Sequence, residues 1–264
     1  MPPKIFVGNV YGRSIEVDHH SSLLRLFRFP NVMFRPGYND ALLCRARSKT
    51  ATRFLESDAD VHVSIDGDIV FAAEDVQQIA DQACNPETPI VGGVYVTRAR
   101  LGGLCRPTTI FNDDEPIEFS DDPTPRPVKW LATGFMATHR RVFETLAKDL
   151  PLCHPIEDWS FYPFYQPFVT DGPNGPIYLS EDYALCERAR LAGFGSFVNP
   201  SVRLMHFGQH GFRLEDMTIA EPPTQPIQLT RTSEGRYRVE TYDLGEDHAE
   251  PQPSAERPAV LLAR

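Results

Sequence analysis

The chain has 264 residues, 41% of them hydrophobic, and a formal net charge of −10. That is enough apolar material for the buried core of one large α/β domain or two small ones, and the acidic balance argues against an extended nucleic-acid footprint, which clustered Lys and Arg would have to hold. No stretch approaches the roughly 18 uninterrupted apolar residues of a membrane span, the N-terminus has neither the basic head nor the apolar block of a signal peptide, and five cysteines without a CxxC pair read as reduced thiols, so a soluble, cytoplasmic protein with no transmembrane segment is expected.

Lys4 to Val10 reads as an opening strand running into Tyr11-Gly12-Arg13, a turn whose glycine lets a ligand approach the backbone. Ser21-Ser22 would cap a short helix through Phe27, and Asn31 to Phe34 is a second strand ending at Pro36-Gly37. From Asp40 the spacing predicts a helix: Leu42, Leu43, Ala46, Thr50 and Phe54 recur at helical intervals, with Arg45, Lys49 and Arg53 as a basic stripe on another face. Val61, Val63 and Ile65 then alternate with polar positions and lead into Asp66-Gly67-Asp68, two carboxylates placed where strand pairing should break. Taken alone, Asp-x-Asp is a solvated turn. At the end of a strand, clustered oxygen ligands are also how an α/β protein holds a hard divalent cation against a diphosphate. A helix over Glu74–Ala83 and a strand over Ile90–Val96 continue the alternation, which implies a mostly parallel sheet with ligands at the carboxyl ends of its strands.

Arg106 to Pro127 is rich in proline and acid, too polar and interrupted for core, and reads as a long connection or a flap. Trp130 to Thr138 reads as a strand with Gly134 at its centre, followed by a helix over His139–Ala147. Pro151 to Pro176, with Trp159 and five further aromatics, is either a pocket-shaping loop or a satellite hydrophobic cluster. Ser180 is a good N-cap, with Glu181, Asp182 and Tyr183 in the first turn of a helix that stops at Gly193; the acids serve the helix dipole or chemistry. A strand from Gly195 leads toward His206, either a structural histidine or a candidate metal ligand. Beyond Phe212 come a linker at residues 221–226, a hairpin of Ile227–Thr232 and Arg236–Tyr242 around Ser233-Glu234-Gly235, a mobile stretch at 245–258 and an apolar end at 259–263.

In this order the elements resemble the GT-A glycosyltransferases, particularly the family 2 type, over residues 4 to 212. The matching blocks are Ala46-Arg47-Ser48, Ser64-Ile65-Asp66-Gly67-Asp68-Ile69, Gly134-Phe135-Met136, Ser180-Glu181-Asp182-Tyr183 and His206-Phe207-Gly208. Family members commonly carry Asn where this chain has Ser48. The resemblance implies a GT-A, Rossmann-like fold with a mixed, mostly parallel sheet flanked by helices and a C-terminal hairpin and tail. It implies a catalytic domain over 1–212, divided into a nucleotide-sugar half (1–104) and an acceptor half (105–212), with 213–264 as an accessory. It further implies transfer of a sugar from a nucleotide-diphosphate sugar, uridine or guanosine, to an acceptor hydroxyl of a glycan, a lipid-linked intermediate, a protein or a small molecule. Asp68 and His206 would hold Mn2+ or Mg2+, with Asp66 on the metal shell or the ribose. Gly8, Asn9, Val10, Arg47, Gly67 and Gly134 would contact the donor. Asp182 would be the general base, supported by Glu181, which implies inversion at the anomeric carbon. Trp130, Trp159 and Tyr183 are candidates for the acceptor side, with plain core the stronger reading of Trp130.

Two other classes share features with this pattern. A haloacid-dehalogenase-type phosphatase uses Asp-x-Asp after an apolar strand with the first aspartate as nucleophile, but here only Val70 matches what should follow and the motif lies 65 residues in. A non-catalytic sugar- or nucleotide-binding module on the same scaffold is the other. A sugar-nucleotide pyrophosphorylase lacks its glycine- and arginine-rich N-terminal loop here.

Overall fold

The computed structural model describes residues 1–11, 14–38, 40–98, 105–112, 117–156, 159–208, 211–217, 227–234 and 236–241. The chain opens with β1 (Ile5–Tyr11), α1 (Val17–Leu26), β2 (Val32–Tyr38), α2 (Leu43–Glu56), β3 (Val61–Asp66), β4 (Ile69–Val70), α3 (Ala73–Ala83) and β5 (Ile90–Gly92). It continues through β6 (Ile117–Phe119), β7 (Arg126–Val128), β8 (Phe135–His139), α4 (Arg140–Leu146), β9 (Phe168–Gly172), β10 (Gly175–Leu179) and α5 (Glu181–Leu191). The last strands are β11 (Ser196–Val198), β12 (Met205–Phe207), β13 (Gly211–Phe212), β14 (Ile227–Arg231) and β15 (Tyr237–Thr241).

A seven-stranded sheet in the order β2-β1-β3-β8-β5-β11-β7 organises the molecule. β1 pairs parallel with β2 and β3, and β5 with β11; β8 runs against β3 and β5, and β7 against β11. Five strands therefore point one way and β7 and β8 the other, the mostly parallel α/β sheet expected from the alternation of elements.

Strand alternation decides what each face buries. Ile5 and Val7 of β1 and Val61, Val63 and Ile65 of β3 pack against Leu23 and Leu26 of α1 and Val76 and Ile79 of α3. The intervening Phe6 and His62 point the other way, into a ring cluster with Phe54 of α2 and Phe143 of α4. Asp66 continues the even-numbered set and so emerges on the α2 side of the sheet. After the Gly67 turn, β4 pairs with β12, and the register sets His206 opposite Ile69, with Phe207 N–H donating to Asp68 O at 2.8 Å.

Several boundaries differ from expectation. α1 starts at Val17, so Ser21 and Ser22 lie inside it; buried Ser22 accepts from Phe71 N–H at 3.3 Å. α2 starts at Leu43 because the Asp40 carboxylate is occupied by Leu42 N–H, Arg45 and Lys49. Of the 130–138 segment only the part from Phe135 is strand, and Gly134 sits in the turn before it. The connection expected to stay out of the core contributes Phe111, Ile117 and Phe119 to it, and its β7 extends the main sheet. β9 and β10 form a hairpin within what reads as irregular loop. The β14–β15 hairpin forms as expected and pairs with β6. The expectations for Gly12-Arg13, the 221–226 linker and the 245–263 tail lie outside the described residues.

Candidate active site

Arg47 occupies a core-facing position of α2, one turn before Ala51 and two before Phe54, and is only 2% exposed. A buried guanidinium requires partners, and three carboxylates converge on it. Its Nη2 donates to both oxygens of Asp66 at 2.8 Å, one nitrogen bridging the carboxylate. Its Nη1 donates to Glu181 Oε1 at 3.1 Å and to Asp182 Oδ1. Asp182 also accepts from the buried Thr133 hydroxyl. β3 thus supplies one acid and the N-terminus of α5 the other two, where acidic residues favour the positive end of the helix dipole.

Three carboxylates around one guanidinium carry an excess of negative charge when all are ionised, and the electrostatics follow from that. Burial works against the Arg47 charge, but Asp182 and Asp66 hold its pKa well above the usual value. Burial pushes Asp66 up in spite of Arg47, and burial with the neighbouring Asp182 pushes Glu181 up. The Tyr95 phenol, buried beneath the cluster, is raised well above its usual value by burial and by Asp66 and Asp182, so it remains neutral.

Gly134 closes the cluster from below. Its N–H donates to Tyr95 Oη at 3.0 Å, and its carbonyl accepts from Asp66 N–H at 3.0 Å. A Cβ here would stand 2.4 Å from Tyr95 Oη and 3.0 Å from Asp66 Oδ2, so packing alone demands glycine.

Asp68 faces away from Arg47, toward a cavity of about 420 Å3 lined in part by Val10, Glu16, Asp66, Gly67, Asp68 and Arg98. Its Oδ2 lies 3.6 Å from His206 Nε2 and 2.7 Å from Arg98 Nη1. His206 Nδ1 donates to Val96 O at 2.6 Å, which fixes the ring so that Nε2 faces Asp68. Burial pushes the Asp68 carboxyl up, but His206 and the Arg98 charge more than offset this and hold it below its usual value. Among the described residues no group of three or more His, Cys, Asp or Glu side chains stands ready to hold a metal ion. The Asp68–His206 pair offers one oxygen and one nitrogen beside an acid-lined cavity. That donor set could hold a hard or borderline divalent cation only with further ligands, such as phosphate oxygens or water, completing its coordination.

The other expected site residues separate into two groups. Val10, Asp66, Gly67 and Asp68 line the cavity. Gly8 and Asn9 lie one layer beneath it: Gly8 faces His62 and Thr50, and Asn9 is fully buried. Arg47, expected at the diphosphate or base, is enclosed by its carboxylates instead, because α2 presents it on the same stripe as Ala51 and Phe54. Asp66, expected on the metal shell or ribose, has both oxygens on Arg47. Ser48 accepts from Tyr165 N–H at 3.1 Å within the core. Trp130 is buried, donates to Glu187 Oε2 at 3.0 Å and stacks on Tyr183 at 5.7 Å, and Tyr183 Oη donates to Thr108 O at 2.7 Å. Trp159 lies in a separate cavity with Phe6 and Met33, its ring covered by Arg53 at 3.5 Å. Thr133, Tyr95 and Arg98 were not anticipated; the first adjoins Gly134 and the other two follow Gly92-Gly93, but none has a distinguishing residue pattern.

No protein-family model matches the chain, and no curated protein does. Among solved structures, the crystal structure of GalNAc-T7 with UDP, GalNAc and Mn2+ superposes with a TM-score of 0.50 at 12% identity, over 77% of this chain and 44% of that one. The chain has a GT-A-like fold. It spans less than half the length of GalNAc-T7. A197 from STIV aligns over 94% of this chain and 100% of its own, with 14% identity and a TM-score of 0.49. Among the described residues no helix is long and apolar enough to cross a membrane.

Proposed function

We propose that this protein is a divalent-cation-dependent glycosyltransferase that moves a sugar from a nucleotide-diphosphate sugar to an acceptor hydroxyl, with residues 1–212 as the catalytic unit, 1–104 serving the donor and 105–212 the acceptor. The observation that carries the reading is the adjacency of two devices at one cleft. Asp68, with His206 beside it, lines the cavity, and Asp66, which lines it too, shares Arg47 with Glu181 and Asp182. The GalNAc-T7 structure, which holds UDP and Mn2+ on a similar fold, supports the same reading.

Asp68 and His206 would hold Mn2+ or Mg2+, which as a Lewis acid neutralises charge on a departing diphosphate. An acid-lined cavity repels a bare diphosphate, so a cation and the exposed Arg98 are what make the donor's approach favourable. The acceptor oxygen attacks the anomeric carbon while the bond to the diphosphate oxygen breaks and its electron pair leaves with the diphosphate. Asp182 takes the hydroxyl proton. Its negative charge is stabilised by Arg47 and Thr133, which also fix the carboxylate's direction, and Glu181 orients the acceptor beside it. Attack opposite the leaving group inverts the anomeric centre. Asp66 locked on Arg47 is ill suited to serve as the free nucleophile of a phosphatase.

A thermal-shift screen of UDP and GDP with and without Mn2+ tests this. A diphosphate at about 100 times its Kd stabilises by roughly 2.7 kcal/mol, and the shift should require the metal. Absence of any nucleotide-dependent shift with Mn2+ present contradicts the donor assignment.

A further inference from the structure

The Asp66-Gly67-Asp68 turn is bracketed by two peptide carbonyls, Ile65 O before it and Ile69 O after it, and both are gripped from the α1 side of the sheet. Asn9 Nδ2 donates to Ile65 O at 2.6 Å. His19 Nδ1 lies 2.6 Å from Ile69 O; a carbonyl can only accept, so Nδ1 carries the proton. His19 Nε2 stands 3.4 Å from Asn9 Oδ1, so the two side chains touch. Both are fully buried. Their meeting follows from the fold: Asn9 belongs with Ile5 and Val7 to the set of β1 that faces α1, and His19 lies on the buried face of α1 with Ser22, Leu23 and Leu26.

Polar side chains in an apolar layer are costly unless hydrogen-bonded, and aliphatic residues would fill this layer without that cost. What the pair supplies, and an aliphatic pair cannot, is a fixed position for both ends of the turn. Between them Gly67 N–H donates to Val10 O at 3.1 Å and Asp66 N–H to Gly134 O at 3.0 Å, so the segment has little freedom to slide along the cavity wall. We propose that Asn9 and His19 form a buried clamp that positions the Asp66-Gly67-Asp68 turn, a role whose consequence for cation and diphosphate binding rests on the donor reading above.

Amide hydrogen exchange separates the clamp from that reading, because it needs no ligand. In His19→Leu, exchange at Asp66 and Gly67 should quicken roughly three- to tenfold, the effect of losing one hydrogen bond. His19→Asn, which can place a donor near the Nδ1 position, should restore protection. The Mn2+ concentration that half-saturates UDP binding should rise in His19→Leu and return in His19→Asn. Asn9→Leu gives a second route should His19→Leu fail to fold, and should quicken the same amides. Unchanged exchange at residues 66 and 67, or equal acceleration throughout α1 and β1, overturns the clamp. If the parent protein binds no UDP with Mn2+, the donor reading falls while the exchange data still decide the clamp.

Discussion

Arg47 Nη2 donates to both oxygens of Asp66, each at 2.8 Å, linking a helix to the end of a strand 19 residues later. With Nη1 on Glu181 and Asp182, Arg47 is the positive centre around which the site's acids are arranged. Removing it leaves Asp66, Glu181 and Asp182 facing one another without a counter-charge. Arg47→Ala should therefore destabilise by about 3–5 kcal/mol, and Arg47→Lys should recover only part of this, since one ammonium cannot spread over three carboxylates as Nη1 and Nη2 do. Urea denaturation of the three proteins checks both statements.

Asp68→Ala and His206→Ala should each abolish the metal-dependent part of a UDP or GDP thermal shift. Asp68→Ala should lower the ligand-free Tm little, because Asp68 stands at the cavity wall, whereas His206→Ala should lower it more, because its ring donates to Val96 O and packs edge-on against Tyr95. A shift that still requires Mn2+ in both variants would place the cation elsewhere.

Gly134→Ala inserts a methyl 2.4 Å from Tyr95 Oη and 3.0 Å from Asp66 Oδ2. An overpacking cost of about 1–3 kcal/mol is expected. Adding Tyr95→Phe removes the nearer atom, so the double variant should be less unstable than the two single effects summed. Strict additivity in a double-mutant cycle would show that the methyl is accommodated without displacing Tyr95.

His62 lies among Phe6, Phe54 and Phe143, and burial lowers its pKa to about 3. The unfolded chain takes up a proton at His62 below about pH 6.5, whereas the folded ring stays neutral. The stability this contributes is complete above pH 6.5 and is lost as pH falls toward 3. Replacing the ring with an apolar side chain removes that slope. Between pH 7 and pH 4, the parent protein should lose about 3 kcal/mol more stability than His62→Leu. Parallel pH profiles for the two would show that the imidazole protonates within the fold.

Much of this architecture was legible because alternation and helical spacing are local signals. Val61, Val63 and Ile65 announced β3, and the stripe through Ala46 and Phe54 announced α2. The same stripe hides Arg47's role, since only the packed structure reveals that α5 brings two carboxylates across to it. Trp130 reads as core or as a sugar platform, and its place is fixed only when Glu187 and Tyr183 are seen to occupy its polar edge and one face. The β9–β10 hairpin was masked by its proline- and aromatic-rich context, although Asn174-Gly175 is a turn signal and Gly175 adopts φ 116°. Phe111 and Phe119 read as loop because charges and prolines surround them; their burial depends on contacts far along the chain. His19 and Asn9 carry no motif at all, and their pairing exists only once α1 is docked on β1.

The most direct test is release of nucleoside diphosphate from UDP- and GDP-sugars incubated with the purified protein and Mn2+, with Asp182→Asn run in parallel. Release should depend on the metal, cease on chelation, and fall by about a hundredfold or more in Asp182→Asn while that variant retains its nucleotide-dependent thermal shift. No release from any nucleotide sugar, or release undiminished in Asp182→Asn, would contradict glycosyl transfer at the Arg47-centred site.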